Sequence, residues 1–487
     1  MIKFYLDKGG KYAVIETDHL TEIREHFSVE NDNAKFIKRF NRFASPRQYA
    51  ITPTGRFDAP LFSEILKYLL ASNNTDEIVI EDSEFKHCVS PANHLWGADH
   101  STEPYKLNLE LRDYQADIVN KCLVVGRGTV VLATAGGKTL TMASLISRVF
   151  TFFKSTNHAD DFKCLVIVPD RGLASQTYND FTSYGVPFTF SKWTGDDALN
   201  LSSNVIIANA GIMQSENSNL DWAEFVDMLV VDEVHKVRKG NQITDLIKNI
   251  KTYCKFGFTG TMPEGLLDQW NIIGKVGPII YEKNSTSLRK EGYISNVICQ
   301  VIEISYKDIP APVEDKMKAY RAELEFIISN QYRNNVLGTL AKNVTNNSLI
   351  LVDFIEHGLI LEEILKKMCT DKQVFFIRGS VEIDERERIK QLIESNTNVV
   401  VVAISKIFST GIDIKNLHYI IFAGGGKAKI KVLQSIGRGL RLHTSKQKLT
   451  LIDIVDDLKY GNRHADKRQN LYEKENIPFS IKKIEEA

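Results

Sequence analysis

The stretch TVVLATAGGKT, residues 129–139, decides how the chain is read. An apolar run ends in a glycine pair, lysine and threonine, and TLTMASLISRVF (139–150) continues with helical periodicity. Strand, glycine-rich turn and helix in that order make a phosphate cradle, because backbone N–H groups and the helix N-terminus point at phosphate oxygens. In this reading Thr134, Ala135, Gly136 and Gly137 line the phosphates, and Lys138 reaches the β- and γ-phosphates of ATP. The Thr139 hydroxyl holds Mg²⁺, and Gly136 and Gly137 permit close backbone approach. Leu132 stands at the first glycine position of the usual G-x-x-x-x-G-K-[ST] pattern, so the loop alone leaves coincidence open.

Downstream, VVDEVH (230–235) settles that question. It places Asp232, Glu233 and His235 at the end of another apolar run, roughly ninety residues after the loop. A carboxylate there holds Mg²⁺ through its water shell, and its neighbour activates the attacking water. A solvated Asp–Glu pair is the bland alternative, and the loop upstream argues against it. Further on, QSIGRGLR (434–441) supplies Gln434, Arg438 and Arg441. Arginines reaching a nucleotide from a second lobe neutralise charge on the γ-phosphate, an effect on the order of 10³–10⁵ in rate. Without the other motifs the same residues would read as a basic surface helix.

Around these motifs, short Val/Ile/Leu runs alternate with helical patterns from about residue 107. They include CLVIVP (164–169), MLVVDE (228–233), LILVDF (349–354), VVVVAIS (399–405) and HYIIFAG (418–424). Continuous apolar runs of this length predict buried parallel strands in an α/β fold, with chemistry at their carboxyl ends. The first hundred residues lack that alternation. KYAVIET and EIVIED read as strands and PLFSEILKYLLASN as an amphipathic helix, which makes a small α+β unit. Polar stretches at 96–108 and 281–287 mark the boundaries, giving domains at 1–105, 106–282 and 283–487.

Composition narrows the function class. With 43% apolar and 25% charged residues in 487, the chain reads as an ordinary soluble globular protein. No apolar run is long enough to span a membrane, and the N-terminus turns polar too soon for a secretory segment, so the expected compartment is cytoplasmic. The six cysteines are scattered without a C-x-x-C pair, which argues against a zinc site or a disulfide framework. Because the formal net charge is +0, any polyanion must be met by local positive charge.

Two acid-free basic runs qualify. The first, 35–56, carries Lys38, Arg39 and Arg42 among Phe36, Phe40, Phe43 and Tyr49. Its basic residues read as DNA contacts; its aromatics read as core of the small domain, or else as stacking platforms. The second, 427–448, includes Lys427, Lys429 and Lys431, which face either a strand or solvent.

Taken together, residues 108–445 resemble superfamily 2 helicases of the DExH type. That resemblance implies two tandem RecA-like P-loop lobes with parallel sheets, plus the small N-terminal α+β domain. LRDYQ (111–115) resembles the family's Q motif, so Arg112 and Gln115 would bind the nucleotide, Gln115 at the adenine edge. VPDRGLASQ (168–176) resembles motif Ia, which would put Pro169, Leu173 and Gln176 at the tracking strand. FTGTM (258–262) resembles motif III with Gly260 in place of alanine, and implies that Thr259 and Thr261, with His235, couple hydrolysis to movement. LILVDF resembles motif IV, with Gly379 and Arg386 in the element after it. STGIDIKNLH (409–418) resembles motif V, placing Thr410 and Gly411 near DNA, and Gly411 and Asp413 near the nucleotide. QSIGRGLR matches motif VI, Q-x-x-G-R-x-x-R, at every fixed position.

Within the superfamily, FSTGI-x-x-KNLH, GGKAKIKVLQSIGR and the helix PLFSEILKYLLASN are similar to phage UvsW-type branch-migration helicases. The expectation is therefore an ATP- and Mg²⁺-using DNA helicase or translocase that remodels branched or forked DNA in replication, recombination or repair. It would work as a monomer in an infected bacterial cytoplasm. An RNA helicase with the same motor, or a duplex DNA translocase that separates no strands, fits the motifs too. A non-enzymatic clamp is opposed by the intact Lys138, Asp232, Glu233, Arg438 and Arg441.

Overall fold

The computed structural model describes residues 1–8, 12–31, 45–72, 76–81, 83–89, 106–156, 158, 161–215, 220–237, 242–311, 314–378, 383–405, 416–424 and 448–486. Among these the apolar runs do form buried parallel strands. One seven-stranded sheet has the order Ile279–Lys283, Gly128–Leu132, Cys254–Thr259, Met228–Asp232, Cys164–Val168, Val205–Asn209, Phe190–Trp193, and every pair is parallel. Its five inner strands, Gly128–Leu132 through Val205–Asn209, are buried at every residue, as parallel strands covered on both faces must be.

A second all-parallel sheet of seven strands runs Gln373–Ile377, Val399–Ile404, Ser348–Val352, Tyr419–Phe422, Lys448–Asp456, Asn296–Ser305, Phe479–Glu485. The two sheets are the two RecA-like lobes. The chain divides into two compact units: residues 1–132 with 137–283, and residues 284–487 with the short turn 133–136.

The polar segment YEKNSTS (281–287) is more structured than its composition suggests. Tyr281–Lys283 completes an edge strand paired with Gly128–Leu132, and Asn284 caps the helix Ser285–Lys290 by accepting from the Ser287 N–H at 2.9 Å. No residue of that edge strand is fully buried, so polar residues are tolerated there.

The N-terminal region is a mixed sheet in the order Arg56–Phe57, Ala13–Glu16, Ile2–Leu6, Ile78–Ile80, with a small antiparallel pair Ser28–Glu30 and Arg47–Tyr49 beside it. The expected amphipathic helix is Phe62–Ala71, burying Phe62, Ile65 and Leu69 at spacings that keep them on one face. The core is aromatic: Phe4 meets Phe62 edge-on at 4.8 Å.

Part of that core comes from far along the chain. Trp270 and Ile273, on the helix Leu266–Lys275, pack into the same cluster, and Trp270 lies 5.2 Å from the Phe27 ring. Polar bonds reinforce the contact. Buried Arg127 donates to the carbonyls of Val276 at 2.9 Å and Cys88 at 2.7 Å, and Lys275 pairs with Asp58 at 2.5 Å. The N-terminal region and the first lobe therefore share one hydrophobic core.

All six cysteines are free thiols, five of them buried. No helix of the described residues is long and apolar enough to cross a membrane.

Candidate active site

The strand Gly128–Leu132 leads through the turn 133–136 into the helix Lys138–Ser155. The Gly136 N–H donates to the Ala133 carbonyl at 2.9 Å, closing the turn. Two residues take left-handed backbone angles, Ala135 with φ 68° and Gly137 with φ 82°. Gly137 caps the helix, and its carbonyl accepts from both the N–H and the hydroxyl of Thr141 at 3.1 Å. The helix N-terminus thus opens on the loop, the arrangement that favours an anion.

Gln115 is locked against this loop. Its Oε1 accepts from the Arg112 backbone N–H at 2.9 Å, forming a capping box at the start of the helix Asp113–Val125. The amide nitrogen faces the other way, so close to Gly137 that a Cβ there would lie 2.3 Å from it. Arg112 in turn donates to the Tyr114 hydroxyl at 3.0 Å. Among the residues of LRDYQ, then, the glutamine is buried and set by its own helix cap.

The carboxylates follow at the end of Met228–Asp232. Asp232 is buried, and its Oδ1 accepts the Glu233 N–H at 2.8 Å. Glu233 adopts φ 52°, ψ 46°, a left-handed conformation that costs a non-glycine residue about 1–3 kcal/mol. The turn aims its side chain inward: Oε1 lies 3.9 Å from Lys138 Nζ, and Oε2 lies 3.2 Å from His235 Nδ1.

From there the chain of contacts continues to the neighbouring strand. His235 Nδ1 is 2.9 Å from Thr259 Oγ1, and the Thr259 hydroxyl donates to the Thr261 carbonyl at 2.8 Å. Because that hydroxyl proton is already committed, Thr259 Oγ1 serves His235 as an acceptor, which assigns the imidazole proton to Nδ1.

The two adjacent carboxyls are driven apart. Burial pushes Asp232 up, and the charge of Glu233 adds to it. Burial also acts upward on Glu233, but Lys138 and His235 outweigh it and hold that carboxyl below the usual range. Glu233 is therefore the ionised partner, while Asp232 gains most from a cation.

The remaining expected residues fall as follows. Thr139 is the second residue of the Lys138–Ser155 helix and half-buried. Pro169 follows the strand Cys164–Val168, and Asp170 caps the next helix, Arg171–Tyr184, by accepting from the Leu173 N–H at 3.0 Å. Gln176 is half-buried on that helix. Arg386 belongs to the helix Ile383–Ser395, though its side chain lies outside the described residues. Lys38, Arg39, Arg42, Gly379, Thr410, Gly411, Asp413, Gln434, Arg438 and Arg441 also lie outside them. What the motifs did not signal is the left-handed backbone of Ala135 and Glu233, which no residue type there announces.

Residues 108–264 match the family model for the Type III restriction enzyme, res subunit, and residues 332–443 match the Helicase conserved C-terminal domain. The first match holds the loop, the carboxylates and Thr259; the second lies in the other lobe. Both lobes carry helicase domains, and the chain is a helicase.

This helicase is 29% identical to the ATP-dependent DNA helicase uvsW of Enterobacteria phage T4 over 353 residues, 70% of this chain and 68% of the relative. It is 26% identical over 390 residues to the DNA 3'-5' translocase XPB2 of Sulfurisphaera tokodaii, covering 72% of this chain and 82% of that protein. Among solved structures, a fragment of a putative HsdR subunit of a type I restriction enzyme from Vibrio vulnificus aligns with a TM-score of 0.57. That alignment covers 99% of this chain and 80% of the other, and at 15% identity it speaks for the fold alone.

Proposed function

We propose that this helicase hydrolyses ATP to move along DNA and remodels branched DNA, as in fork regression and branch migration. The observation that carries the reading is the continuous line Lys138, Glu233, His235, Thr259 and Thr261, which ties a phosphate-binding lysine to a second strand end. In this mechanism the turn from Thr134 to Gly137, with Lys138, holds the phosphates. Glu233, kept ionised by Lys138 and His235, takes a proton from the attacking water. The water oxygen bonds to the γ-phosphorus as the bond to the β-phosphate oxygen breaks. Departure of the cleaved phosphate then removes negative charge beside Lys138 and changes the pull on Glu233, and His235 passes that change to Thr259 and Thr261. Arg112 and Gln115 receive the adenine; Gln434, Gly411, Asp413, Arg438 and Arg441 are assigned to the nucleotide by their motifs.

The donor set fits Mg²⁺: a hydroxyl at Thr139, and in Asp232 a buried carboxylate whose charge is costly without a cation. When bound, Mg²⁺ supplies neutralisation of phosphate charge. Residues 1–105 are proposed as a DNA-gripping accessory domain, 106–282 as the ATP-binding lobe and 283–487 as the second motor lobe. Lys38, Arg39, Arg42, Pro169, Gln176, Arg386 and Thr410 are the proposed DNA contacts. The sequence carries no recognisable coiled coil or repeat, so a monomer is proposed, and the phage resemblance supports action in the cytoplasm of an infected bacterium.

ATP-dependent processing of a four-way DNA junction, compared with an RNA duplex, tests the reading. Junction remodelling is expected; unwinding of RNA with no action on the junction would overturn it. A second reading, translocation on duplex DNA without strand separation, draws on the similarity to the XPB2 translocase. It predicts displacement of a bound block from duplex DNA but no separated strands.

A further inference from the structure

In the second unit, the helices Lys316–Ser329 and Lys459–Lys474 border an open groove of about 770 Å³. Lys316, Arg321, Lys459, Arg463 and Lys467 line it, and no Asp or Glu among the described residues does. All five cations are exposed, and none has a carboxylate partner among the described residues. Among the acids close by, Asp353 and Glu323 bear on Tyr320, and two acids are engaged by other groups. Glu323 caps the second helix by accepting the Tyr460 N–H at 2.9 Å, and Asp456 is held by buried Arg333 at 2.6 Å. In a chain whose formal net charge is +0, this concentration of one sign is a segregated patch.

The spacing says what the patch fits. Lys459, Arg463 and Lys467 recur every fourth residue, so they form a stripe on one helix face about 12 Å long at 1.5 Å rise per residue. That is longer than one phosphate group and suits the successive phosphates of a polymer. Aromatic rings lie beside the stripe. Tyr320 and Tyr460 meet edge-on at 5.3 Å, and Phe354 is 42% exposed on the same groove. Cations flanking aromatic faces are the combination that takes a strand backbone with its bases. The helix that carries the stripe is rigidly set: Arg468, one residue past Lys467, bonds Asp453 on the adjacent strand at 2.9 Å from within the core.

We propose that this groove is an auxiliary binding site for the backbone of a DNA strand; its five cations lie outside every helicase motif, and it meets the motifs only at Phe354, the last residue of motif IV. It rests on the reading of the protein as a DNA motor.

The test is equilibrium binding of a labelled single-stranded DNA and a labelled duplex, without nucleotide, across a salt series. In the variant Lys316→Gln, Arg321→Gln, Arg463→Gln, Lys467→Gln, the slope of log affinity against log salt should fall by about 0.7 per lost phosphate contact on the single strand. Basal ATPase should stay at the wild-type level. Should the fourfold variant fold poorly, the single exposed Arg463→Gln carries the same test, with a fall of about 0.7 expected. Unchanged slope and affinity on both DNAs would overturn the groove. Wild-type protein that binds DNA through this groove yet remodels no junction would overturn the proposed function instead, so the two failures are distinct.

Discussion

His235 Nδ1 stands 2.9 Å from Thr259 Oγ1, joining the residue two positions after the catalytic glutamate candidate to the end of the adjacent strand. Since Thr259 also bonds the Thr261 carbonyl and backbone N–H, at 2.8 and 3.3 Å, its hydroxyl is the junction of the line. Thr259→Val keeps the shape and removes that junction. A buried partner left unsatisfied costs about 1–3 kcal/mol. The expected result is a modest loss of DNA-stimulated ATPase and a much larger loss of strand separation, read as more ATP consumed per strand released. Equal losses in both would mean that Thr259 serves hydrolysis only.

Lys138 and Glu233, 3.9 Å apart, should separate phosphate binding from chemistry. Lys138→Ala is expected to abolish DNA-stimulated ATPase while DNA binding without nucleotide persists. Glu233→Gln should still bind ATP, with kcat lowered about 10²–10⁴-fold, the range for a lost general base. Wild-type hydrolysis rates in either variant would show that the site is wrongly assigned.

Gly137 offers a sharper structural test. Its φ of 82° is unfavourable for any side chain, and a Cβ would meet Gln115 Nε2 at 2.3 Å. Gly137→Ala should destabilise the protein by about 1–3 kcal/mol from the backbone term alone, and raise KM for ATP. Adding Gln115→Ala removes the clash but also the capping bond to Arg112. Denaturant midpoints should therefore recover only in part, while KM stays high; full recovery of KM would show that Gln115 does not touch the nucleotide.

How much of this was legible beforehand follows from range. Asp232 and Glu233 announce themselves because they stand at the end of a run of buried strand residues, and Lys138 because a glycine turn joins such a run to the helix it opens, both purely local patterns. Trp270 and Ile273 could not be assigned to the N-terminal core, since that contact joins segments some two hundred residues apart. The strand Ile279–Lys283 was hidden because an incompletely buried edge strand carries polar residues and reads as a break. The basic groove is not legible in the sequence for a similar reason: its stripe on 459–474 is a local helix face, but its partner helix is far upstream. Glu233's left-handed turn is a property of the backbone that its residue type does not encode.

Lys255 yields a pH signature unrelated to catalysis. It sits buried on the strand Cys254–Thr259, and its ammonium donates to the carbonyls of Ile247 at 2.9 Å and Ile250 at 2.6 Å, at the end of the helix Gln242–Asn249. Burial first, and then the charges of Arg127 and Lys275, bring its pKa down from 10.5 to about 7. A depressed lysine pKa means that the unfolded chain holds more protons between those two values. Its contribution to stability therefore rises with pH across that window, and its full penalty applies below about pH 7. Lys255→Met retains the apolar stem and removes the charge, at the expense of the two carbonyl bonds. Urea denaturation of wild type and variant at a series of pH values between neutrality and about pH 10 should show the rise attributable to this lysine in the wild type and its absence in the variant. Parallel curves would mean that Lys255 stays charged where it is buried.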